Sequence, residues 1–319
     1  MTVVSINDPQ SGSSARIAAN AGFNCFEFLA SIGDAQVSVI DAAEGFENGD
    51  KPPSHSGIPI LFPYPNRIRG GKYSWEGTEY DLPESLVAYD GAGNAIHGFC
   101  LDLPWRIEER TDGSVTGVFQ ISEDAPDRLP LWPTDALLRI KYSLNGACLR
   151  TDIEVSNPTD TPLPWGFGTH AYFRVPLTDS GSPENCTVYA PVTREWDLEE
   201  CLPTGSQKDP AADGNLILDP GFTSLKLDNV YTGVQPADGI VECRLTDTGS
   251  GLKMTQRCDD SFRDIVAFTP PWTSAVCLEP YTCVTDAINL QQQGVDAGLQ
   301  VLEPGGTWTG WIEIAVEAS

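Results

Sequence analysis

The sequence predicts an all-β fold, a large antiparallel β-sandwich or barrel, on three observations. Short runs rich in aromatic and β-branched residues recur along most of the 319 residues, and such runs favour strands. Asp-Gly, Asn-Gly and Pro-containing turns separate them, the residue types that close tight connections. Helical periodicity is scarce: the best stretch, residues 286–293 (D-A-I-N-L-Q-Q-Q), is too short to be a structural pillar. Regular alternation of strands and helices, the mark of a parallel sheet, is missing.

The elements follow in order. Residues 23–40 hold two strand-like runs split by Ile32-Gly33-Asp34, a hairpin signal. Residues 72–80 alternate around Glu76-Gly77, and residues 105–109, 115–121, 137–144 and 147–156 read as further strands. Ala275-Val276-Cys277-Leu278 is a buried-strand run, ended at Glu279-Pro280 by a residue that cannot donate to a ladder. Residues 302–316 read as a closing hairpin around Glu303-Pro304-Gly305-Gly306, with Trp308 and Trp311 available to pack. The most loop-like stretch, residues 206–215, is too short to divide the chain, so residues 1–319 are expected to form a single domain.

Composition narrows the function. Acidic residues outnumber basic ones 45 to 19, a net charge of −26; nucleic-acid backbones and anionic membranes would be repelled. A neutral small molecule is the expected partner. The nine cysteines are scattered, with no C-x-x-C pair and no histidine at metal-ligand spacing. Free thiols in a reducing compartment are expected, and neither a disulfide framework nor a zinc site. The N-terminal residues lack a signal-peptide pattern and no apolar run approaches 18 residues, so a soluble, cytoplasmic protein is expected.

Five stretches carry candidate chemistry. In residues 165–173 (W-G-F-G-T-H-A-Y-F), His170 sits among glycines and aromatics, in a chain with three histidines. It is either a core histidine bonded to a backbone carbonyl or a proton donor and acceptor working near neutrality. In residues 57–71 three prolines stiffen a loop that presents Asn66 and Arg67, a fork of donors for hydroxyl or carbonyl oxygens, unless Arg67 is paired to a carboxylate. His97 lies in A-I-H-G-F after a Gly-rich turn, and Asp228 in L-D-N-V-Y-T-G, where turn chemistry competes with binding. Glu279 ends an apolar strand, a setting in which a carboxyl group needs a partner and in which burial raises its pKa toward that of a general base. His55, in P-S-H-S-G, has no assignable role and reads as a surface or loop residue.

In this order, N-R, H-G, H-x-Y-F, D-N-x-Y and L-E-P-x-T resemble the aldose 1-epimerase, or galactose mutarotase, superfamily from about Gly57 onward. The resemblance implies the family's large antiparallel supersandwich, with a sugar in an open cleft across one sheet. It implies Glu279 as base and His170 as acid in ring opening of a neutral hexose, with Asn66, Arg67, His97 and Asp228 holding hydroxyls. It implies no metal or other cofactor. The chain also departs from the pattern. Galactose-specific members carry V-Q-F-Y-T-G where this chain reads Ile265-Val266-Ala267-Phe268-Thr269-Pro270; His97-Gly98 is followed by Phe99 rather than glycine; and Pro271-Trp272 offers a new apolar platform. Anomer interconversion therefore carries over better than galactose specificity. Two alternatives stay open: a hexose-6-phosphate 1-epimerase, with Arg67, Arg69 and Lys72 clustered for a phosphate, and a non-catalytic carbohydrate-binding module. The sequence leaves the oligomeric state open.

Overall fold

The computed structural model describes residues 2–319. Two large antiparallel sheets dominate. The first runs, in spatial order, Arg106–Arg110, Ser114–Gln120, Leu137–Asn145, Cys148–Ser156, Thr307–Ala318, Leu252–Asp259, Ile240–Asp247 and Cys186–Tyr189. The second runs Leu202–Lys208, Val192–Glu199, Asp228–Val234, Asp264–Phe268, Ala275–Tyr281, Gly168–Thr169 and Ile60–Leu61, and Tyr172–Arg174 also pairs with Ala275–Tyr281. A four-stranded antiparallel sheet, Val3–Asn7 to Ala35–Ser38, stands beside them.

Period-two patterning decides which face each strand of the first sheet buries. Along Cys148–Ser156, Leu149, Ile153 and Val155 point inward while Arg150, Asp152 and Glu154 point out. The inward residues join one core with Val276, Leu278, Ile265 and Ala267 of the second sheet, the packing that defines a sandwich. The outward residues lie in ion pairs, such as Arg150 Nη1 to Glu313 Oε1 at 2.7 Å and Arg257 Nε to Glu242 Oε2 at 2.7 Å.

The expected hairpins at Gly33 and Gly77 form, between Asn24–Ile32 and Ala35–Ser38 and between Lys72–Trp75 and Thr78–Asp81. The expected C-terminal hairpin does not. Glu303 to Gly306 do turn, closed by a 2.8 Å hydrogen bond, but the arms part: Gln300–Leu302 pairs with Leu163–Trp165, while Thr307–Ala318 inserts between Cys148–Ser156 and Leu252–Asp259. Trp308 packs on Trp165 with ring centroids 4.9 Å apart, and Trp311 lies under the Arg150 guanidinium. Residues 206–208 extend a strand rather than a loop, and the expected helix is Ala287–Gln292. All nine cysteines are free. Among the described residues no helix is long and apolar enough to cross a membrane.

Candidate active site

The strand Ala275–Tyr281 is buried along its whole length because both faces are covered. Val276 and Leu278 enter the core, so alternation sends Cys277, Glu279 and Tyr281 to the opposite face. On that face lies a cleft of about 550 Å³, lined among others by Asn66, Arg67, His97, His170, Asp228 and Glu279. These six are the candidate residues read from the sequence.

Backbone pairing brings them together. Ile60–Leu61 pairs with Gly168–Thr169, and the His170 N–H donates to the Pro59 carbonyl at 3.0 Å. A Cβ on Gly168 would sit 2.3 Å from the Tyr281 ring, so glycine there lets the tyrosine lie beneath the loop. Arg67–Ile68 pairs with Ala95–Ile96, and the His97 N–H donates to the Asn66 carbonyl at 2.7 Å. Asn66 and His97 both take left-handed backbone, φ +57° and +68°. Gly98 follows at φ +76°, where any side chain would strike the Phe62 carbonyl.

At the cleft floor Nε2 of His170 lies 3.3 Å from Oε1 of Glu279. The other carboxyl oxygen accepts a 2.5 Å hydrogen bond from the Tyr281 hydroxyl, and the His170 ring stacks on Tyr172 at 4.8 Å, within 6° of parallel. Both ionisable groups are nearly sealed from solvent, at 1 % exposure for Glu279 and 8 % for His170. Burial pushes the carboxyl of Glu279 well above its usual range, a shift that the Tyr281 hydrogen bond and the charge of Arg67 partly offset. Burial likewise lowers His170, to about 3, and lowers His97 well below its usual value. Neither partner of the pair carries an isolated charge cheaply, so together they hold one proton that can sit on either. Nδ1 of His97 and of His170 is buried without a protein partner.

Arg67 is braced on two sides: Nε donates to Asp90 Oδ2 at 2.6 Å and Nη1 to Asn66 Oδ1 at 2.8 Å. Asp228 opens the strand Asp228–Val234 and is exposed at the cleft edge. The basic cluster imagined for a phosphate is not assembled. Arg69 turns to Asp286 at 3.7 Å, and neither Arg69 nor Lys72 lines the cleft. Cys277 joins His170 and Glu279 with donor atoms within 4.8 Å of one another. Burial raises the pKa of this thiol well above the usual value and holds it protonated, whereas a metal is bound by the thiolate.

Several residues of the site escaped the sequence reading. Tyr281 stands two positions beyond Glu279, past the proline at which the strand was expected to end; the strand instead runs through Pro280 to Tyr281, paired with Asp264–Phe268. Asp90 could be read only as a turn residue and Phe268 only as part of a strand, whereas Tyr172, already singled out beside His170 in H-x-Y-F, does line the cleft. His55 is exposed, as expected, yet it lines the cleft and stacks on Trp272 with centroids 4.6 Å apart. Trp272 does line the cleft, as the Pro271-Trp272 platform suggested.

Residues 34–315 match a family profile described as aldose 1-epimerase. YihR of Escherichia coli strain K12, an uncharacterized protein, is 26% identical over 258 residues, 80% of this chain and 77% of its own. A galactose mutarotase-like protein from Clostridium acetobutylicum has a solved structure similar at a TM-score of 0.84, with 20% identity, over 100% of this chain and 99% of its own. The GalM/aldose epimerase homologue from C. elegans superposes at a TM-score of 0.79, with 15% identity, over 99% of both chains. These structural likenesses establish the galactose mutarotase-like all-β fold.

Proposed function

The chain belongs to the aldose 1-epimerase family, and from that premise we propose that it is a mutarotase, interconverting the α and β anomers of an uncharged sugar. One observation carries the reading: a carboxyl and an imidazole converge to 3.3 Å at the floor of the cleft. The two oxygens of a hemiacetal, O1 and the ring oxygen O5, share one carbon. An acid and a base that act on both in one step must converge in the same way.

Glu279 acts from the tautomer in which it is a carboxylate and His170 an imidazolium; the Tyr281 hydrogen bond favours the carboxylate, while the charge of Arg67 favours the carboxylate and opposes the imidazolium. It takes the proton from O1 as the C1–O5 bond breaks; the bonding pair stays on O5, which takes the proton from His170, and C1=O1 forms. After rotation about C1–C2 the roles reverse. Neutral His170 removes the O5 proton, O5 attacks the other face of C1, and Glu279 returns the proton to O1. Asn66, Arg67, His97 and Asp228 hold the remaining hydroxyls. The braced guanidinium of Arg67, already paired to Asp90, suits a hydroxyl better than a phosphate, which favours a neutral sugar over a sugar phosphate.

The test is NMR or polarimetric anomer exchange on α-D-glucose, α-D-galactose, L-arabinose and glucose 6-phosphate, with Glu279→Gln beside wild type. Acceleration on a neutral sugar that disappears in the variant supports the reading. Acceleration confined to glucose 6-phosphate replaces the neutral substrate with a phosphorylated one, and binding without acceleration leaves a carbohydrate-binding module.

A further inference from the structure

We propose that the cleft continues past its aromatic lip into an outer subsite for a second sugar ring, so that the preferred substrate is the reducing end of a disaccharide or longer oligosaccharide. The proposal rests on the sugar-binding reading of the inner cleft and specifies the class of sugar.

Two concavities meet at one stacked pair. His55 and Trp272 line the inner cleft, and both also line a second hollow of about 340 Å³ with Asp41, Glu44, Lys51 and Thr273. Trp272 is 51 % exposed, a large apolar face left in water at the boundary between the two. An aromatic path leads to it from the reacting pair: His170 meets Phe268 edge-on at 6.2 Å, and Phe268 meets Trp272 at 5.8 Å. A pyranose presents apolar C–H faces and a rim of hydroxyls. The matching receptor is an aromatic platform bordered by a few fixed polar groups.

The outer hollow has that composition. Thr273 Oγ1 donates to Asp41 Oδ2 at 3.0 Å, fixing a carboxylate beside the platform, and Glu44 and Lys51 add hydroxyl partners of both signs. Its walls are tied to the cleft floor. The Tyr172 hydroxyl, under His170, donates to the Ser54 carbonyl at 2.8 Å in the turn that carries His55, and the Asp41 N–H donates to the Tyr172 carbonyl at 2.8 Å. The inner cleft, at about 550 Å³, already has room to spare for one pyranose. A single ring over His170 and Glu279 leaves both the Trp272 platform and the outer hollow without a role. Ring opening needs a free hemiacetal at one ring only, so a glycosidic bond leading outward over Trp272 leaves the chemistry intact.

The experiment measures kcat/KM for anomer exchange on glucose, maltose, cellobiose and lactose, for wild type, Trp272→Ala and Trp272→Phe. At least one disaccharide is expected to exceed glucose by about tenfold, the size of one good aromatic contact, through a lower KM. That ratio falls toward one in Trp272→Ala and is largely kept in Trp272→Phe. A ratio of one or less for all three disaccharides overturns the outer subsite, as does a ratio that Trp272→Ala leaves intact. Isothermal titration in the Glu279→Gln background separates this from the epimerase reading. If no sugar is turned over, that reading falls, and Trp272-dependent binding of a disaccharide in preference to glucose still upholds the subsite, whereas equal Kd values remove it.

Discussion

Replacing Glu279 by Gln tests two statements at once, the role of the carboxyl group and its protonation in the folded chain. The side chain is 1 % exposed, and burial holds its carboxyl well above the usual 4.5. The folded chain therefore retains a proton that the unfolded chain releases once the pH passes about 4.5, and stability falls as pH rises through that window. Glutamine carries no such proton. Each pH unit in the window is worth about 1.4 kcal/mol, and an unfolding entropy of about 2.1 cal/mol/K per residue over 319 residues converts that to about 2 °C. The Tm of Glu279→Gln relative to wild type should therefore climb by about 2 °C per pH unit as the pH rises above about 4.5. The slope is the readout, because any lost contact with Tyr281 or His170 adds only a constant offset. Differential scanning calorimetry at half-unit pH intervals measures it. Turnover should fall by about 10²–10⁴ in the same variant. A flat Tm difference means that Glu279 is ionised in the fold, and unchanged turnover would refute its role as base.

His170 should give the opposite slope. Its pKa is lowered from 6.5 to about 3, so the unfolded chain takes up the proton first and stability is lost as pH falls through that interval. The Tm of His170→Asn relative to wild type should rise as pH drops below 6.5, with turnover down by about 10²–10⁴; a slope of zero would leave His170 charged in the fold. Arg67→Ala removes a braced donor of the cleft wall and should mainly raise KM, by about tenfold for one hydrogen bond to a charged group; an unchanged KM for every sugar tested excludes Arg67 from the site. Seven of the nine thiols are buried and only Cys148 and Cys201 are partly open, so Ellman's reagent should label no more than two thiols before unfolding and all nine after it. Rapid reaction of further thiols would contradict the packing.

Much of the fold was legible because its signals are local. The turns at Gly33 and Gly77 announce hairpins whose arms pair with each other, and they do. The turn at Glu303 to Gly306 is equally clear, but turn chemistry names only the bend. The partners of its arms are fixed by pairings with residues about 55 to 165 positions earlier, beyond the reach of local pattern. The site divides in the same way. Glu279 was readable because a carboxyl at the end of an apolar run demands a partner, and Tyr281 was missed because the strand was expected to stop at Pro280, whereas it runs on to Tyr281. Nothing local joins Asn66 to His97; the short ladder between Arg67–Ile68 and Ala95–Ile96 does. Arg69 and Lys72 look like companions of Arg67 in the chain, yet Arg69 is turned to Asp286 on another segment.

The insertion of Thr307–Ala318 between Cys148–Ser156 and Leu252–Asp259 sets an order of assembly. Both flanking strands leave the ribosome well before the one that joins them. At about 5–20 residues per second, the later edge waits roughly 2–10 s for its partner. During that interval two strand edges offer unpaired backbone groups to any neighbouring chain. The chain is then most exposed to misassembly, and conditions that dilute nascent chains or engage holding chaperones should raise the yield of folded protein without altering the stability of the finished sheet.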